Sequence, residues 1–596
     1  MRHLPAPEAR NEHPLLITAE RIRTMASAAD GSAAVAAAML VIDGRIAAIG
    51  EVADVERAAA ALPHVERVDL GDATVVPGFV DAHAHPLMLG QLSTWVDCGP
   101  DKARDIPGII ALLREAADRL PAGAPVRGYG YEQRNLAERR HPTRFELDRV
   151  ATDREVYLMN ASGHGGVVNS WTLEHNGVTR DTPNPEGGEF FRDADGELTG
   201  ELSDAACNVL TGLHGVKIGH HGPNFHLGDE PAELVRQLEG AQAQFLAGGV
   251  TTIGDAQVSK RELDTYLRLA ERGGLRMRVA AYLLSHLLDA AIEMGVHGPL
   301  GDARLAIQGI KLYADGTLGG ETAWFPDGYL DDPCRTGQLY HDPEEYRSLV
   351  SRAHAVGLQT ATHSQSPDAI EMVLSGLEAA LAERPDPDAR HRIEHCGLPT
   401  PEQIERMAAA GIIPVNQPQH HFNWGEGVTR AIGTPGERFN PLGEFERAGL
   451  PLVISSDAPV ADPRPLEAVQ AAASRITRRG VQLGGDDLAI DVELALRAHT
   501  IHAARAIGRE RDLGSLEVGK AADFAVLAAD PVATPVDEIA GIGVRATWVG
   551  GVEVHRAEAD HADGAAAERG ATDDGAQADR AAQADASATA HLEAAR

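Results

Sequence analysis

The sequence has few cysteines and no long apolar run. Its four cysteines, Cys98, Cys207, Cys334 and Cys396, lack the spacing of a disulfide framework or a metal-binding cysteine motif. This usage predicts a reducing compartment, the cytoplasm. No stretch approaches about 18 uncharged apolar residues, and residues 1–13 lack the apolar core of a secretory signal. We therefore expect no membrane association.

Basic residues are also scarce. Asp and Glu number 88 against 54 Lys and Arg, which gives a net charge of −34. This excess of negative charge argues against nucleic acid and anionic membranes as partners. At 596 residues the chain exceeds the size of one hydrophobic core, so we expect two or three domains.

Two histidines separated by one residue close the segment Val75–Pro86, VVPGFVDAHAHP. Its apolar start is typical of a buried strand. Residues i and i+2 of a strand lie on the same side, so His83 and His85 can reach one metal ion. Such a pair is more often incidental when it stands alone, so its meaning depends on the rest of the chain.

Seven further strand-like runs follow, and helix-compatible stretches separate many of them. The runs are 249–256, 275–284, 305–316, 357–364, 391–396, 411–418 and 450–459, and the helical stretches include 231–247, 259–272, 343–355, 367–383 and 401–410. This alternation predicts a parallel sheet, and eight strands fit a closed (β/α)₈ barrel with its active site at the carboxyl ends of the strands. Candidate ligands occur at those ends: Lys311, His363, His395 and Asp457 on strands four, five, six and eight.

These motifs resemble those of the amidohydrolase superfamily. Its marks are PGFVDAHAH, Lys311, His363, RIEHC and SSDAPV. The chain is similar to the YtcJ-like branch of metal-dependent hydrolases, which includes N-substituted formamide deformylases. That branch is indicated by KLYADGTLGGETAWF, SGHGGVVNSWTLEHNGV and NPEGGEFFRDADGELTGEL. The resemblance implies an α/β fold with a (β/α)₈ barrel and a divalent metal, zinc, with one or two ions per chain.

Lys311 is one of only five lysines in the chain. A desolvated lysine can become a neutral amine, which can add carbon dioxide and form a carbamate. The resemblance implies that carboxylated Lys311 bridges two metal ions. The alternative is a salt bridge to Asp315 or another acid.

The resemblance also implies that His363 and His395 ligate the second metal, although either could be a buried structural histidine. Asp457 follows a buried strand, where an unpaired carboxylate is costly. Its implied roles are contact with the metal at His83 and His85 and general base for the attacking water. Its alternative is an N-cap. A mononuclear site built from His83, His85, His363 and Asp457 stays open.

Several polar residues are candidates for contact with the substrate. The resemblance supports His164 in SGHGG and the segment after Asp315, which includes Trp324. Tyr131 in GYGYEQ and the polar cluster 416–421, NQPQHH, could also line the pocket. A glycine-flanked histidine in a loop is otherwise more often structural.

The chain divides by pattern into a barrel and flanking parts. Strand-like segments at both ends, with a hairpin signal at Asp43-Gly44, predict a small composite β-sandwich from residues 14–74 and 506–555. The barrel spans 75–505. Residues 90–240 far exceed an ordinary βα loop and predict an inserted subdomain that could act as a lid. Residues 556–596 are poor in large apolar side chains and predict a disordered tail.

Together these features predict a hydrolase that cleaves a non-peptide C–N (amide) bond of a small molecule with metal-activated water, and an N-substituted formamide is the favoured substrate. A deaminase, esterase or decarboxylase with the same site is one alternative. A non-catalytic binding barrel is another. A homo-oligomer would be ordinary for such a protein.

Overall fold

The first part of the chain forms five strands and one helix. In the computed structural model, which describes residues 13–27, 33–161, 163–211, 213, 216–222, 227–330 and 332–558, the hairpin predicted at Asp43-Gly44 is present. Both turn residues have positive φ, 49° and 76°, as a tight two-residue hairpin loop requires. The elements are β1 (Leu15–Ser27), β2 (Ala33–Ile42), β3 (Arg45–Gly50), α1 (Val52–Ala59), β4 (Glu66–Asp69) and β5 (Thr74–Pro77).

The first barrel strand is shorter than predicted. The run that begins at Val75 is divided at Gly78 into β5, which belongs to the small sheet, and β6 (Phe79–Ala84), which belongs to the barrel. Helix α2 (Pro86–Leu92) follows. A side chain at Gly78 would overlap Thr251, so the chain can pass the neighbouring strand there only with glycine. An apolar pattern alone does not reveal such a change of sheet.

The segment after α2 forms a sheet of its own, in the region predicted as an insertion. Its six strands pair in the order β11-β12-β10-β9-β8-β7, and they enclose separate apolar clusters around Leu158 and Phe190. Its elements are β7 (Val96–Asp97), α3 (Ile106–Arg119), β8 (Val126–Tyr131), α4 (Arg144–Leu147), β9 (Val156–Asn160), β10 (Gly165–Val168), α5 (Ser170–His175), β11 (Gly188–Arg192), β12 (Leu198–Asp204), α6 (Asn208–Thr211) and α7 (Ile218–His221).

Seven more strands complete a nearly closed parallel barrel, as predicted, and each predicted run overlaps one of them. They are β13 (Val250–Val258), β14 (Arg278–Leu284), β16 (Leu305–Tyr313), β17 (Gln359–Ser364), β18 (Arg392–His395), β19 (Ile413–Asn416) and β20 (Val453–Ile454), while β15 (Leu300–Gly301) pairs only with β16. The backbone N–H of Asp457 donates to the carbonyl of His83 over 2.9 Å, which joins the end of the eighth strand to the first.

Helices surround this barrel. Four of the predicted stretches coincide with their helices at both ends. Each of these helices begins with proline at the first helical position, which marks its start. The helices are α8 (Pro231–Ala247), α9 (Lys260–Glu271), α10 (Leu288–Glu293), α11 (Pro343–Ala355), α12 (Pro367–Glu383), α13 (Pro401–Ala410), α14 (Pro418–Ile432), α15 (Leu442–Arg447), α16 (Pro465–Ser474), α17 (Val492–Ala498) and α18 (Ile501–Ala506).

The end of the described chain returns to the small sheet. Strands β21 (Phe524–Leu527), β22 (Val544–Val549) and β23 (Val552–Arg556) extend it in the order β23-β22-β21-β5-β1-β2-β3, with β4 beside β1. The first and last described strands of the chain therefore share one sheet, whose description as a sandwich stays a prediction. Among the described residues no helix is long and apolar enough to cross a membrane. The predicted tail beyond residue 558 lies outside the described residues.

Candidate active site

The carboxyl ends of five barrel strands bring the six predicted metal ligands together. All six side chains are buried, with at most 8% of the residue surface exposed. Each of these residues lies at or just after the carboxyl end of its strand, where the side chains of a parallel barrel converge. They are His83 and His85 from β6, Lys311 from β16, His363 from β17, His395 from β18 and Asp457 just after β20.

Asp457 lies at the centre of this group. Its Oδ1 is 3.0 Å from His85 Nε2 and 3.5 Å from His83 Nε2, and its Oδ2 is 3.5 Å from His420 Nε2 and 4.0 Å from His395 Nδ1. Burial alone would raise the pKa of Asp457, but the neighbouring His85, His83 and His420 bring it to about 2. The carboxyl group is therefore ionised at neutral pH.

The other histidines pack on one another around this carboxylate. The ring centroids of His83 and His363 lie 4.9 and 4.4 Å from that of His395. In each of the three rings one nitrogen hydrogen-bonds an oxygen, which leaves the second nitrogen as a lone-pair donor in the neutral ring. The three bonds are His83 Nδ1 to Glu394 Oε2, His363 Nε2 to the Gly316 carbonyl at 2.9 Å and His395 Nδ1 to Gln417 Oε1 at 2.8 Å.

Lys311 is fully buried, and its Nζ has no hydrogen-bond partner among the described residues. The nitrogen lies 4.6 Å from the centre of the Tyr313 ring. Burial lowers the pKa of Lys311 to about 8, although Glu394 and Asp457 act in the opposite direction. The ammonium form therefore still predominates at pH 7, and the share of neutral amine, although minor, is much larger than for an exposed lysine.

The alternative salt bridge from Lys311 to Asp315 is absent. The Asp315 carboxylate instead accepts three backbone N–H groups from the loops beside it. The donors are Gln365 at 2.9 Å, Ser366 at 3.1 Å and Trp324 at 3.1 Å. Asp315 thus holds the loop after β16 against the end of β17.

Glu394 is a buried part of the site that the sequence analysis missed. Its carboxylate accepts from Arg392 Nε at 2.6 Å and from Arg392 Nη2 at 2.8 Å, and it also bonds His83 Nδ1. Burial would raise the pKa of Glu394, but Arg392 and His83 hold it well below its ordinary value. The sequence did contain a signal for this pair. Arg392 and Glu394 are two residues apart on β18, so both charged side chains lie on the barrel's inner face.

His420 is a second such residue. The sequence placed it only in a polar cluster of possible pocket-lining residues, whereas the structure brings its Nε2 to Asp457. Burial lowers the pKa of His420 to about 4, so the ring is neutral at neutral pH. Its Nε2 has no hydrogen-bond partner among the described residues, so it is available as a further nitrogen donor beside this carboxylate.

The three predicted substrate-contacting residues lie in different surroundings. His164 is buried, with Nδ1 2.8 Å from Asp204 Oδ1. Tyr131 is buried within the insertion sheet, and its hydroxyl is 2.7 Å from His141 Nδ1. Trp324 is half-buried in the loop after β16.

Of these three, His164 is the one whose charge influences a predicted metal ligand. It is close enough to His363 to contribute to the low pKa of that histidine, of which burial is the main cause. Trp324 follows the ligand strand β16 at a short distance in sequence. No contact described for Tyr131 reaches the six ligands.

The donor set fits a divalent metal ion. Two overlapping groups, His83-His85-Asp457 and His395-His420-Asp457, each place their ligand atoms within 4.8 Å of one another. Among the described residues His83 Nε2 and Lys311 Nζ are buried polar atoms without hydrogen-bond partners. Imidazole and carboxylate ligands suit zinc, and an outer carboxylate that fixes a histidine ring, as Glu394 fixes His83, is a usual feature of such sites.

Comparison with known proteins identifies the family of this chain. The model of the amidohydrolase family matches residues 66–555. The N-substituted formamide deformylase of Arthrobacter pascens is 31% identical over 551 residues, which cover 90% of this chain and 97% of that protein. The putative amidohydrolase YtcJ of Bacillus subtilis (strain 168) is 29% identical over 507 residues, which cover 83% of this chain and 91% of that protein.

A solved structure shares the fold. An uncharacterised metal-dependent hydrolase from Pyrococcus horikoshii OT3 superposes with a TM-score of 0.73 at 24% identity, over 88% of this chain and 99% of that one. The family match, which covers most of the chain, and the two relatives decide the assignment. The chain belongs to the amidohydrolase family, in its YtcJ-like branch, and is a hydrolase of carbon–nitrogen bonds.

Proposed function

We propose that this enzyme hydrolyses the amide bond of a small N-substituted formamide and releases formate and an amine. The observation that carries the proposal is the buried Asp457 carboxylate among His83, His85, His395 and His420. The sequence similarity of this chain to the N-substituted formamide deformylase, over nearly all of both chains, supports this substrate class.

The residues proposed to hold the metal are the buried histidine, lysine and aspartate side chains at the carboxyl ends of the barrel strands. A bound zinc ion would supply Lewis-acid polarisation of the substrate carbonyl and would acidify water to a pKa of ~7. We propose one or two such ions per chain, with Lys311 carboxylated when two are present. The proposed ligands are His83, His85, Lys311, His363, His395 and Asp457.

Asp457 is the proposed proton carrier. The histidines around it keep it ionised, which is the state that a general base needs. It accepts a proton from the water that forms the new C–O bond. It then delivers that proton to the amine nitrogen as the C–N bond breaks, so that protons balance over the cycle.

His164 is the proposed contact for the substrate's polar group. Its ring is fixed through Nδ1 by Asp204, and a fixed ring costs less ordering entropy on binding. Tyr131 and Trp324 stay proposals as pocket-lining residues. The insertion is proposed to act as a lid over the barrel mouth, because its last helix, α7, packs against the end of β16.

The cellular compartment, the kind of partner and the domain organisation are also proposed. Four cysteines without disulfides support a cytoplasmic location, and the net charge of −34 supports a small-molecule substrate rather than nucleic acid or membrane. A division into a small domain (14–74 and 506–555), a barrel (75–505) and an insertion (90–240) is proposed, with the passage from the small sheet to the barrel at Gly78. A homo-oligomer is also proposed.

Product analysis tests the function. Zinc-loaded protein is incubated with a series of N-alkyl formamides and with matched acetamides, esters and aminopyrimidines. We expect formate and amine in equal amounts, and Asp457→Asn, assayed with saturating Zn²⁺ because Asp457 is also a proposed ligand, should reduce the rate by about 10²–10⁴-fold. Ammonia, an alcohol or carbon dioxide as the released product would replace the proposal with a deaminase, an esterase or a decarboxylase. Full activity of Asp457→Asn would refute the role of this carboxylate.

A further inference from the structure

A second group of metal-ligating side chains lies outside the candidate active site, where the insertion meets the barrel. It consists of His220 on α7, His341 just before α11, and Glu345 in the first turn of α11. Their ligand atoms all lie within 4.8 Å of one another. None of the three residues belongs to the group around Asp457.

His341 has an unusual hydrogen-bond environment. Only 3% of its surface is exposed, and its Nε2 lies 3.1 Å from the Gly219 carbonyl, so this nitrogen carries the proton that is donated there. Its Nδ1 has no hydrogen-bond partner among the described residues and lies 3.3 Å from Glu345 Oε2. In the neutral ring this nitrogen is an acceptor, so a lone pair faces a carboxylate. A cation between the two atoms would remove that conflict.

His220 approaches the same carboxylate from the insertion. Its Nδ1 is 2.8 Å from Ser285 Oγ, and its Nε2 is 3.7 Å from Glu345 Oε1. Burial, with a smaller effect of His341, lowers the pKa of His220 to about 4, which leaves the ring in the neutral form that binds metals. The Ser285 contact fixes the ring as outer partners fix metal-bound histidines.

The separations match those between ligands of one ion. Zinc–nitrogen and zinc–oxygen distances of ~2.0–2.1 Å in a tetrahedral site place neighbouring ligand atoms about 3.4 Å apart. The observed distances, 3.3 Å from His341 Nδ1 to Glu345 Oε2 and 3.7 Å from His220 Nε2 to Glu345 Oε1, are close to this value and long for hydrogen bonds. Each histidine thus faces its own oxygen of the same carboxylate. Two histidines and one glutamate are also a known zinc ligand set.

We propose that His220, His341 and Glu345 bind a divalent transition metal ion of the zinc class, which fastens the insertion to the barrel. This site is separate from the proposed function and does not depend on it. Lys217, whose Nζ is 3.6 Å from Glu345 Oε2, also has Glu186 Oε1 at 3.4 Å. Lys217 therefore keeps Glu186 as an ion-pair partner when Glu345 binds a metal ion.

The ion would stabilise the segment beside the candidate active site. Ile218 on α7 packs in one apolar cluster with Tyr313, and a side chain at Gly222 would overlap the Tyr313 ring. That ring in turn lies 4.6 Å from Lys311 Nζ and 5.4 Å from the ring of His363. Holding α7 at His220 would therefore hold the layer that covers two proposed ligands.

A protonated His341 in an ion pair with Glu345 is the competing explanation, and zinc content separates the two. The full-length protein is equilibrated with excess Zn²⁺, passed through a desalting column and analysed for zinc per chain. The variants are Glu345→Gln, which keeps the side-chain size, and His341→Ala. His297→Ala, at an exposed histidine, is the matched control.

We expect both variants to retain one zinc fewer per chain than the wild type and the control. Added Zn²⁺ should also raise the thermal unfolding midpoint of the wild type more than that of Glu345→Gln. The difference should persist in an Asp457→Asn background, because that carboxylate belongs to the other site. Equal zinc contents in the wild type and Glu345→Gln would overturn the proposal and assign the ion pair. If His341→Ala does not fold, Glu345→Gln alone decides.

Discussion

Replacing Glu394 with glutamine removes a negative charge beside the candidate metal centre while the size of the side chain is kept. In the wild type this carboxylate bonds Arg392 twice, at 2.6 and 2.8 Å, and fixes the ring of His83. Both charged side chains are fully buried. The variant would leave the Arg392 cation without its counter-charge and would allow His83 to turn.

Two magnitudes follow from this geometry. Loss of an outer partner of a metal-bound histidine weakens metal binding by about 10–100-fold, which is ~1.4–2.7 kcal/mol. Loss of one member of a buried ion pair reduces the free energy of unfolding by about 3–5 kcal/mol. Arg392 keeps its bonds to the Tyr282 hydroxyl at 2.6 Å and the Ala82 carbonyl at 2.9 Å, so the lower part of this range is expected.

The assay compares this variant with a matched substitution on the surface. Glu371 also pairs with an arginine, Arg406, at 2.8 and 3.0 Å, but its side chain is 47% exposed. Glu371→Gln should therefore cost less than about 1 kcal/mol. Zinc affinity is measured by chelator competition, and stability by urea unfolding of the chelator-treated proteins. Equal effects of the two substitutions, or an unchanged zinc affinity in Glu394→Gln, would refute the reasoning.

Three further outcomes are expected. In a Glu345→Gln background, which removes the separate zinc site proposed at α7, Lys311→Ala should lower the zinc content of protein purified without chelator from about two ions per chain towards one or none. Elemental analysis measures this content, and an unchanged value would make Lys311 structural. Asp523→Asn should cost about 3–5 kcal/mol in urea unfolding, because it breaks the buried pair with Arg278 at 2.7 Å. Burial would raise the pKa of Asp523, but Arg278 holds it below its ordinary value, so the contribution is present at neutral pH and is lost as the pH falls through the folded-state pKa. A stability difference between wild type and variant that does not shrink in acid would contradict this. Gly254→Ala should lower the free energy of unfolding by about 1–3 kcal/mol, since the added methyl group would meet the backbone of the first barrel strand. Gly240→Ala is the control, because a methyl group there would meet nothing within 4 Å. Equal unfolding midpoints of the two variants would argue against this packing.

The barrel and its helices could be predicted from the sequence because their signals are local. Buried parallel strands are apolar over their whole length, and proline marks the start of α8, α11, α12 and α13. Histidine, lysine and aspartate at the ends of such strands are conspicuous because burial of these residues needs a reason. The group of His83, His85, His363, His395 and Asp457 follows from that reasoning.

The remainder depends on distant contacts that a local pattern does not contain. The division at Gly78 reflects the approach of Thr251 from another strand. Glu394 pairs with His83 from the far side of the barrel, and Tyr131 finds its partner His141 only within the folded insertion. The cluster of His220 with His341 likewise joins residues more than a hundred positions apart.

The small sheet has a consequence for the order of events during synthesis. Strand β5 lies between β1 and β21, with Val75 opposite Val526 and Pro77 opposite Phe524. The amino-terminal strands emerge from the ribosome long before their carboxyl-terminal neighbour exists, so one edge of β5 stays unpaired while the whole barrel is made. Pairings of such high sequence separation form slowly, and exposed strand edges promote aggregation. A nascent chain of this enzyme that stops before Phe524 should therefore depend on chaperones, whereas the completed chain closes that edge itself.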